Sequence, residues 1–244
     1  MHDFGKLIYL DLQKTGSTFV SRFLNETCSL QMVKEAKHER IRRRRWFSAF
    51  YFITVRHPVS QYSSLFRYGL DGEGALYERL ANRGMGYLYK KDTESYNHWL
   101  RFMLDFKSAE LLGEGFGRIP REYDLGFLSY RYLMLSLAQP EKTILKKPRH
   151  VELIEFSKNK SIVNHIIYNE RLNEGLRELA TQIKPQFFDQ AKVEKFFRAE
   201  KKVNASTVSE EDIGKIDSDI YKLILRKESI LIDLYTRSAA RAGD

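Results

Sequence analysis

Hydrophobic residues fall along this chain in short continuous runs that alternate with stripes at helical spacing. Leu7-Ile8-Tyr9-Leu10 is an apolar run, Gln13-Lys14-Thr15-Gly16-Ser17-Thr18 is polar, and Phe19, Val20, Phe23 and Leu24 then recur three and four residues apart. A run followed by that period predicts strand, loop and helix in succession. The stretch from Ala49 to Val55 (AFYFITV) is β-branched or aromatic at both alternating positions, as in a parallel strand buried on both faces. Pro58 then opens a helix, where its missing N–H costs nothing, with Val59, Tyr62 and Phe66 on the inner face. A third run, Ile162 to Asn169, predicts another buried strand, and Leu172, Leu176, Leu179 and Ile183 form the stripe of a helix behind it.

Between these units the pattern changes. Gly69, Gly72, Gly74, Gly84 and Gly86 make a loop-rich stretch with room for a short helix over Ala75 to Leu80. Asp92 to Phe106 predicts a helix capped by Asp92 or Thr93, with Tyr96, Trp99, Leu100 and Met103 on one stripe. After the breakers Gly113, Gly115, Gly117 and Pro120, Tyr123 to Ala138 predicts a second aromatic helix. A last helix carries Ile213, Ile216, Ile220, Leu223, Ile224 and Leu234, with Ser209 and Asp212 as its cap. The aromatics of the middle third, among them Tyr87, Tyr89, Trp99, Phe102, Tyr130 and Tyr132, offer a recognition surface for a bound molecule, or else an ordinary core.

With 244 residues, 43 % of them hydrophobic and 13 % aromatic, the chain is long and apolar enough to bury a core, which excludes global disorder. Cys28 is the only cysteine, so neither an intramolecular disulfide nor a cysteine-based metal site can form. Met1 to Lys6 leads directly into the first strand, and the apolar run from Trp46 to Val55 is too short to span a bilayer. A cytoplasmic protein without a signal peptide or membrane anchor is therefore expected.

The net charge of +9 changes the picture, because it is unevenly placed: Lys34 to Arg45 holds seven Lys/Arg against two Glu. Such a cluster suits an anionic partner, either a nucleotide, an acidic glycan, nucleic acid or a membrane surface, and is otherwise a solvated helix face. The loop at Lys14 to Thr18 is a second anion-attracting feature. Backbone N–H groups at a helix start lack partners, the helix dipole favours negative charge there, and a lysine and hydroxyls stand beside them. The loop is not a Walker A motif, since Lys14 precedes Gly16 rather than following a glycine.

The sequence Lys14-Thr15-Gly16-Ser17-Thr18 behind a strand resembles the 5′-phosphosulfate loop of sulfotransferases that use 3′-phosphoadenosine 5′-phosphosulfate (PAPS). Phe52 to Phe66, FITVRHPVSQYSSLF, is similar to the second motif of that family: a strand ending in Arg, then x-Pro, then a serine eight residues after the Arg. The strand, Asn-Glu-Arg-Leu and helix around residue 170 are similar to the family's late strand and helix. The resemblance implies that Lys14 contacts the leaving group and that Thr15, Gly16, Ser17 and Thr18 hold the 5′-phosphate. It implies that Arg56 and Ser64 hold the 3′-phosphate, and that His38, in a Lys-His pair, is the general base, with Glu35, Glu39, His98 and His150 in reserve. His57, Gln61 and Phe66 depart from the family's usual residues, which leaves the subfamily and acceptor open.

The expected fold is therefore α/β, a P-loop-like central parallel β-sheet flanked by helices in a single domain. Residues 1–68 and 162–244 would form the cofactor-binding core and residues 69–160 a helical, aromatic-rich acceptor side. The expected function is transfer of a sulfuryl group from PAPS to a hydroxyl of a carbohydrate or glycolipid, with an anionic glycan among the candidate acceptors, without a metal and without a specific nucleic acid. Two alternatives remain at this level: a P-loop kinase for a small metabolite, and a basic nucleic-acid- or membrane-surface-binding module using Arg40 to Arg45.

Overall fold

The computed structural model describes residues 1–39, 48–144, 150–199 and 213–242. In chain order the elements are β1 (His2–Asp3), β2 (Leu7–Leu10), α1 (Ser17–Thr27), β3 (Lys34–Glu35), β4 (Phe50–Val55), α2 (Pro58–Leu70), α3 (Ala75–Ala81) and α4 (Thr93–Leu104). There follow α5 (Ala109–Leu112), α6 (Phe127–Ser136), α7 (Pro140–Ile144), α8 (His150–Lys160), β5 (His165–Tyr168), α9 (Leu172–Glu178), α10 (Gln190–Arg198), α11 (Ser218–Lys227) and α12 (Ser229–Ala242). They fall into two units: Met1–Arg56 with Met134–Pro140 and Lys160–Ala205, and His57–Leu133 with Glu141–Asn159 and Ser206–Asp244.

The first unit holds a five-stranded sheet in the order β3-β1-β2-β4-β5. Parallel pairing joins β2 to β4, with Leu10 opposite Ile53, and β4 to β5, with Val55 opposite Tyr168. The α/β class is as expected, but the sheet is mixed rather than parallel, because β1 runs antiparallel to both β2 and β3. Gly5, at φ 77, turns the chain back so that His2 and Asp3 pair with Tyr9 and Ile8. The segment after α1 supplies the outermost strand at Lys34–Glu35 rather than the solvated helix face its charge run allowed.

Strand alternation sends Leu7, Tyr9, Phe52 and Ile167 to one face. There they pack with Val20, Phe23 and Leu24 of α1, Leu176 of α9, Leu179 and Ala180 just beyond it, and Val193 and Phe196 of α10. Ile8, Leu10, Tyr51, Ile53 and Val55 on the opposite face are buried as well, which is the pattern that AFYFITV predicted. Burying each such side chain stabilises by about 1.5–3 kcal/mol, so the three parallel strands are the anchor of this unit.

In the second unit Tyr62 and Phe66 of α2 meet Tyr96 and Trp99 of α4, with Phe66 and Tyr96 ring centres 4.9 Å apart. Asp92 caps α4 as expected, accepting from the Ser95 N–H at 2.7 Å. Tyr96, Trp99, Tyr130 and Tyr132 are all buried, so most aromatics of the middle third form core, while Tyr87 is 62 % exposed. The second aromatic helix is shorter than expected, starting at Phe127 after a left-handed residue at Asp124. The last helical stripe is interrupted: α11 starts at Ser218 and ends before Glu228, where α12 takes over. The basic cluster Arg40 to Arg45, the basic stretch Lys201 to Ser206, and Ser209 and Asp212 lie outside the described residues. Among the described residues no helix is long and apolar enough to cross a membrane.

Candidate functional site

The polar loop after β2 is held in a shape that its residue types explain. Lys14 sits at φ 63 and Gly16 at φ 93, so the chain turns sharply twice before α1 begins at Ser17. Gly16 is the helix cap, and its carbonyl accepts from the N–H groups of Phe19 at 3.0 Å and Val20 at 3.1 Å. No side chain caps this helix, and no acidic residue lies in its first turn. Among the described residues the N–H groups of Thr15, Gly16, Ser17 and Thr18 meet no protein acceptor. They stand at the positive end of the helix dipole, an arrangement that favours an anion.

Gly16 is required twice over. Its φ lies in the region that side-chain-bearing residues avoid, and a Cβ would come within 2.6 Å of Leu172 Cδ2 and 2.9 Å of Asn169 Nδ2. Gly16→Ala is expected to cost about 2–4 kcal/mol by combining left-handed strain with overpacking. A urea unfolding midpoint close to wild type would contradict that expectation.

The Thr15 side chain faces away from solvent and ties the loop to the sheet. Its hydroxyl is fully buried and donates to the Leu12 carbonyl at 2.7 Å. Its one proton being committed, it must accept from the Thr54 hydroxyl at 2.7 Å, and Thr54 in turn accepts from Tyr9 at 2.7 Å. Burial pushes the Tyr9 hydroxyl well above its usual range, so it remains a donor. The hydroxyl contact expected of Thr15 with a phosphate is therefore replaced by a bond to the protein, and among the described residues only its N–H is left without an acceptor. Ser17 is half-buried and Thr18 exposed, which leaves those two hydroxyls at the loop.

His38 lies in the turn after β3, itself at φ 53. Its Nδ1 is 3.0 Å from the Asp11 carbonyl oxygen and 3.4 Å from Asp11 Oδ2, and its backbone N–H donates to the same Oδ2 at 3.4 Å. Asp11 directly follows β2 and comes three residues before Lys14, so the histidine is brought to the strand end that carries the loop. Of the other candidate bases, Glu39 is paired with Lys34 at 2.6 Å and Glu35 is on the edge strand, 3.8 Å from His2. His98 is on α4 and His150 at the start of α8, both in the second unit. Asp11 is a residue that sequence reasoning missed; the signal was an acidic side chain at a buried strand's end, immediately before a basic loop.

Arg56 follows β4 directly and is half-buried. Because β4 is parallel to β2, with Ile53 opposite Leu10, the chain leaves both strands at the same sheet edge, where Asn169 also follows β5. Open α/β sheets bind ligands beyond the carboxyl ends of their strands. Lys14, Gly16, His38 and Arg56 thus all belong to the sheet unit, while Ser64 is half-buried on α2 in the second unit. Among the residues that depart from the family pattern, Gln61 and Phe66 are buried and the His57 ring meets Tyr235 edge-on at 5.5 Å. Among the described residues no three His, Cys, Asp or Glu side chains gather to hold a metal ion. No protein-family model, curated protein or solved structure matches this chain.

Proposed function

We propose that the protein is a PAPS-dependent sulfotransferase of P-loop-like architecture, moving a sulfuryl group to a hydroxyl of a carbohydrate or glycolipid. The observation that carries this reading is the unpartnered row of N–H groups from Thr15 to Thr18, with Lys14 before it and Arg56 at the end of the next parallel strand. An anion with two separated phosphates suits two cationic strand ends on one sheet edge, since neighbouring strands lie only about 4.8 Å apart. The acceptor oxygen bonds to sulfur as the bond from sulfur to the 5′-phosphate oxygen breaks. The hydroxyl proton passes to His38, and the charge left on the departing 3′-phosphoadenosine 5′-phosphate (PAP) is met by Lys14 and the loop N–H groups. The reading includes a cytoplasmic location and an anionic glycan as acceptor, steered by the basic cluster from Lys34 to Arg45.

Titration calorimetry with PAP tests the reading, because PAP carries both phosphates and lacks the reactive group. Binding that weakens at least tenfold in Arg56→Ala is expected. Binding of ATP with magnesium and none of PAP would replace the reading with a small-metabolite kinase.

A further inference from the structure

Asp11 is buried, with 2 % of its surface exposed, and its Oδ1 has no hydrogen-bond partner among the described residues. A buried carboxylate with an unpartnered oxygen is destabilising, and it stands beside a loop that favours anions, where its charge opposes ligand binding. Its charge also favours the cationic forms of the Met1 amino group and the His2 ring. What Asp11 does touch is His38, through its carbonyl oxygen at 3.0 Å and its Oδ2 at 3.4 Å from Nδ1.

The carbonyl contact settles the ring's tautomer. A carbonyl oxygen only accepts, so Nδ1 must carry the hydrogen, and the neutral ring then keeps its lone pair on Nε2. The Asp11 carboxylate lies on this same Nδ1 side of the ring, with Oδ2 3.4 Å from the nitrogen. Holding His38 at φ 53, a strained conformation for a residue with a side chain, needs tertiary contacts to over-determine it, and the Asp11 contacts to its N–H and ring supply them.

We propose that Asp11 is a positioning residue: it fixes His38 with Nδ1 inward and Nε2 outward, so that Nε2 is the atom that takes the acceptor's proton. This role rests on the sulfotransferase reading, and the test separates the two. Nitrogen-15 NMR of histidine-labelled wild-type protein in mildly alkaline buffer is expected to show His38 protonated at Nδ1 and bare at Nε2, with His38→Gln assigning the signal. With labelled PAPS as probe and water as the sulfuryl acceptor, Asp11→Asn is expected to slow release of PAP 10- to 100-fold at saturation. The half-saturating PAPS concentration should stay within twofold and the melting temperature should be unchanged or raised.

A His38 ring protonated at Nε2, or an Asp11→Asn variant that binds PAP normally and turns over at the wild-type rate, would overturn the positioning role alone. A fall of several degrees in melting temperature with unaltered turnover per folded molecule would make Asp11 structural and overturn it likewise. Failure of the wild type to bind PAP at all would overturn the sulfotransferase reading, and this role with it.

Discussion

Lys14→Ala is expected, on the proposed sulfotransferase reading, to lower PAPS turnover by about 10²–10³-fold, the usual loss when one donor to a developing oxyanion is removed. The lysine is half-buried at the loop's first turn, one residue before the row of unpartnered N–H groups. Its φ of 63 is equally unfavourable for alanine, so the substitution removes the charge without changing the backbone strain. Stability should therefore hold while turnover falls, which separates a functional loss from a folding one. Lys14→Gly would lose the same charge and relieve the strain, gaining about 1 kcal/mol over the alanine variant. Equal turnover in wild type and Lys14→Ala would remove the lysine from the chemistry.

Glu228→Ala should produce the largest loss of stability away from the loop, roughly 3–5 kcal/mol, read from urea unfolding. Glu228 is fully buried at the break between α11 and α12. It accepts from the Tyr62 hydroxyl at 2.5 Å and from the N–H groups of Ser129 at 2.6 Å and Leu128 at 3.2 Å. Those two N–H groups belong to the open first turn of α6, so the carboxylate caps a helix about a hundred residues away in sequence. Gly126 leaves the space for it, since a Cβ there would lie 2.1 Å from the carboxylate. Truncation strands three buried donors at once. Glu228→Gln keeps an acceptor in place and should cost about 1–2 kcal/mol.

The same residue sets a pH dependence. Burial raises the Glu228 carboxyl above its ordinary value of 4.5, against the opposing hydrogen bonds. In the folded protein the group therefore holds its proton more tightly than in the unfolded chain. Its contribution is fully present below the ordinary value and is lost as pH rises through the raised one. The wild type should accordingly lose stability relative to Glu228→Gln on going upward in pH from about 4.5, and a gap that widened in favour of the wild type would reverse the assigned direction.

Much of the fold was legible because its signals are local. The run from Leu7 to Leu10, the two-faced strand before Arg56 and the stripe Val20, Phe23 and Leu24 each depend on residues within a few positions of one another. The two-residue edge strands were not legible, since two residues carry no period, and their pairing needs the turn at Gly5. The break at Glu228 was equally hidden, because the apolar stripe runs through it and nothing nearby marks a charged side chain as buried.

By itself the sequence determined the succession of three strands, two of them buried and the third, β5, half-buried at the sheet's edge, the polar loop with its lysine and glycine, and the helix starts at Ser17 and Pro58, because main-chain preferences and hydrophobic period act over short distances. Only tertiary structure decided what each polar side chain meets. Thr15 turns to Thr54 across 39 residues, His38 to Asp11 across 27, and Glu228 to Ser129 across 99. A hydrogen bond is directional and short, so its partner is chosen when the chain closes on itself, and no periodicity along the sequence records that choice.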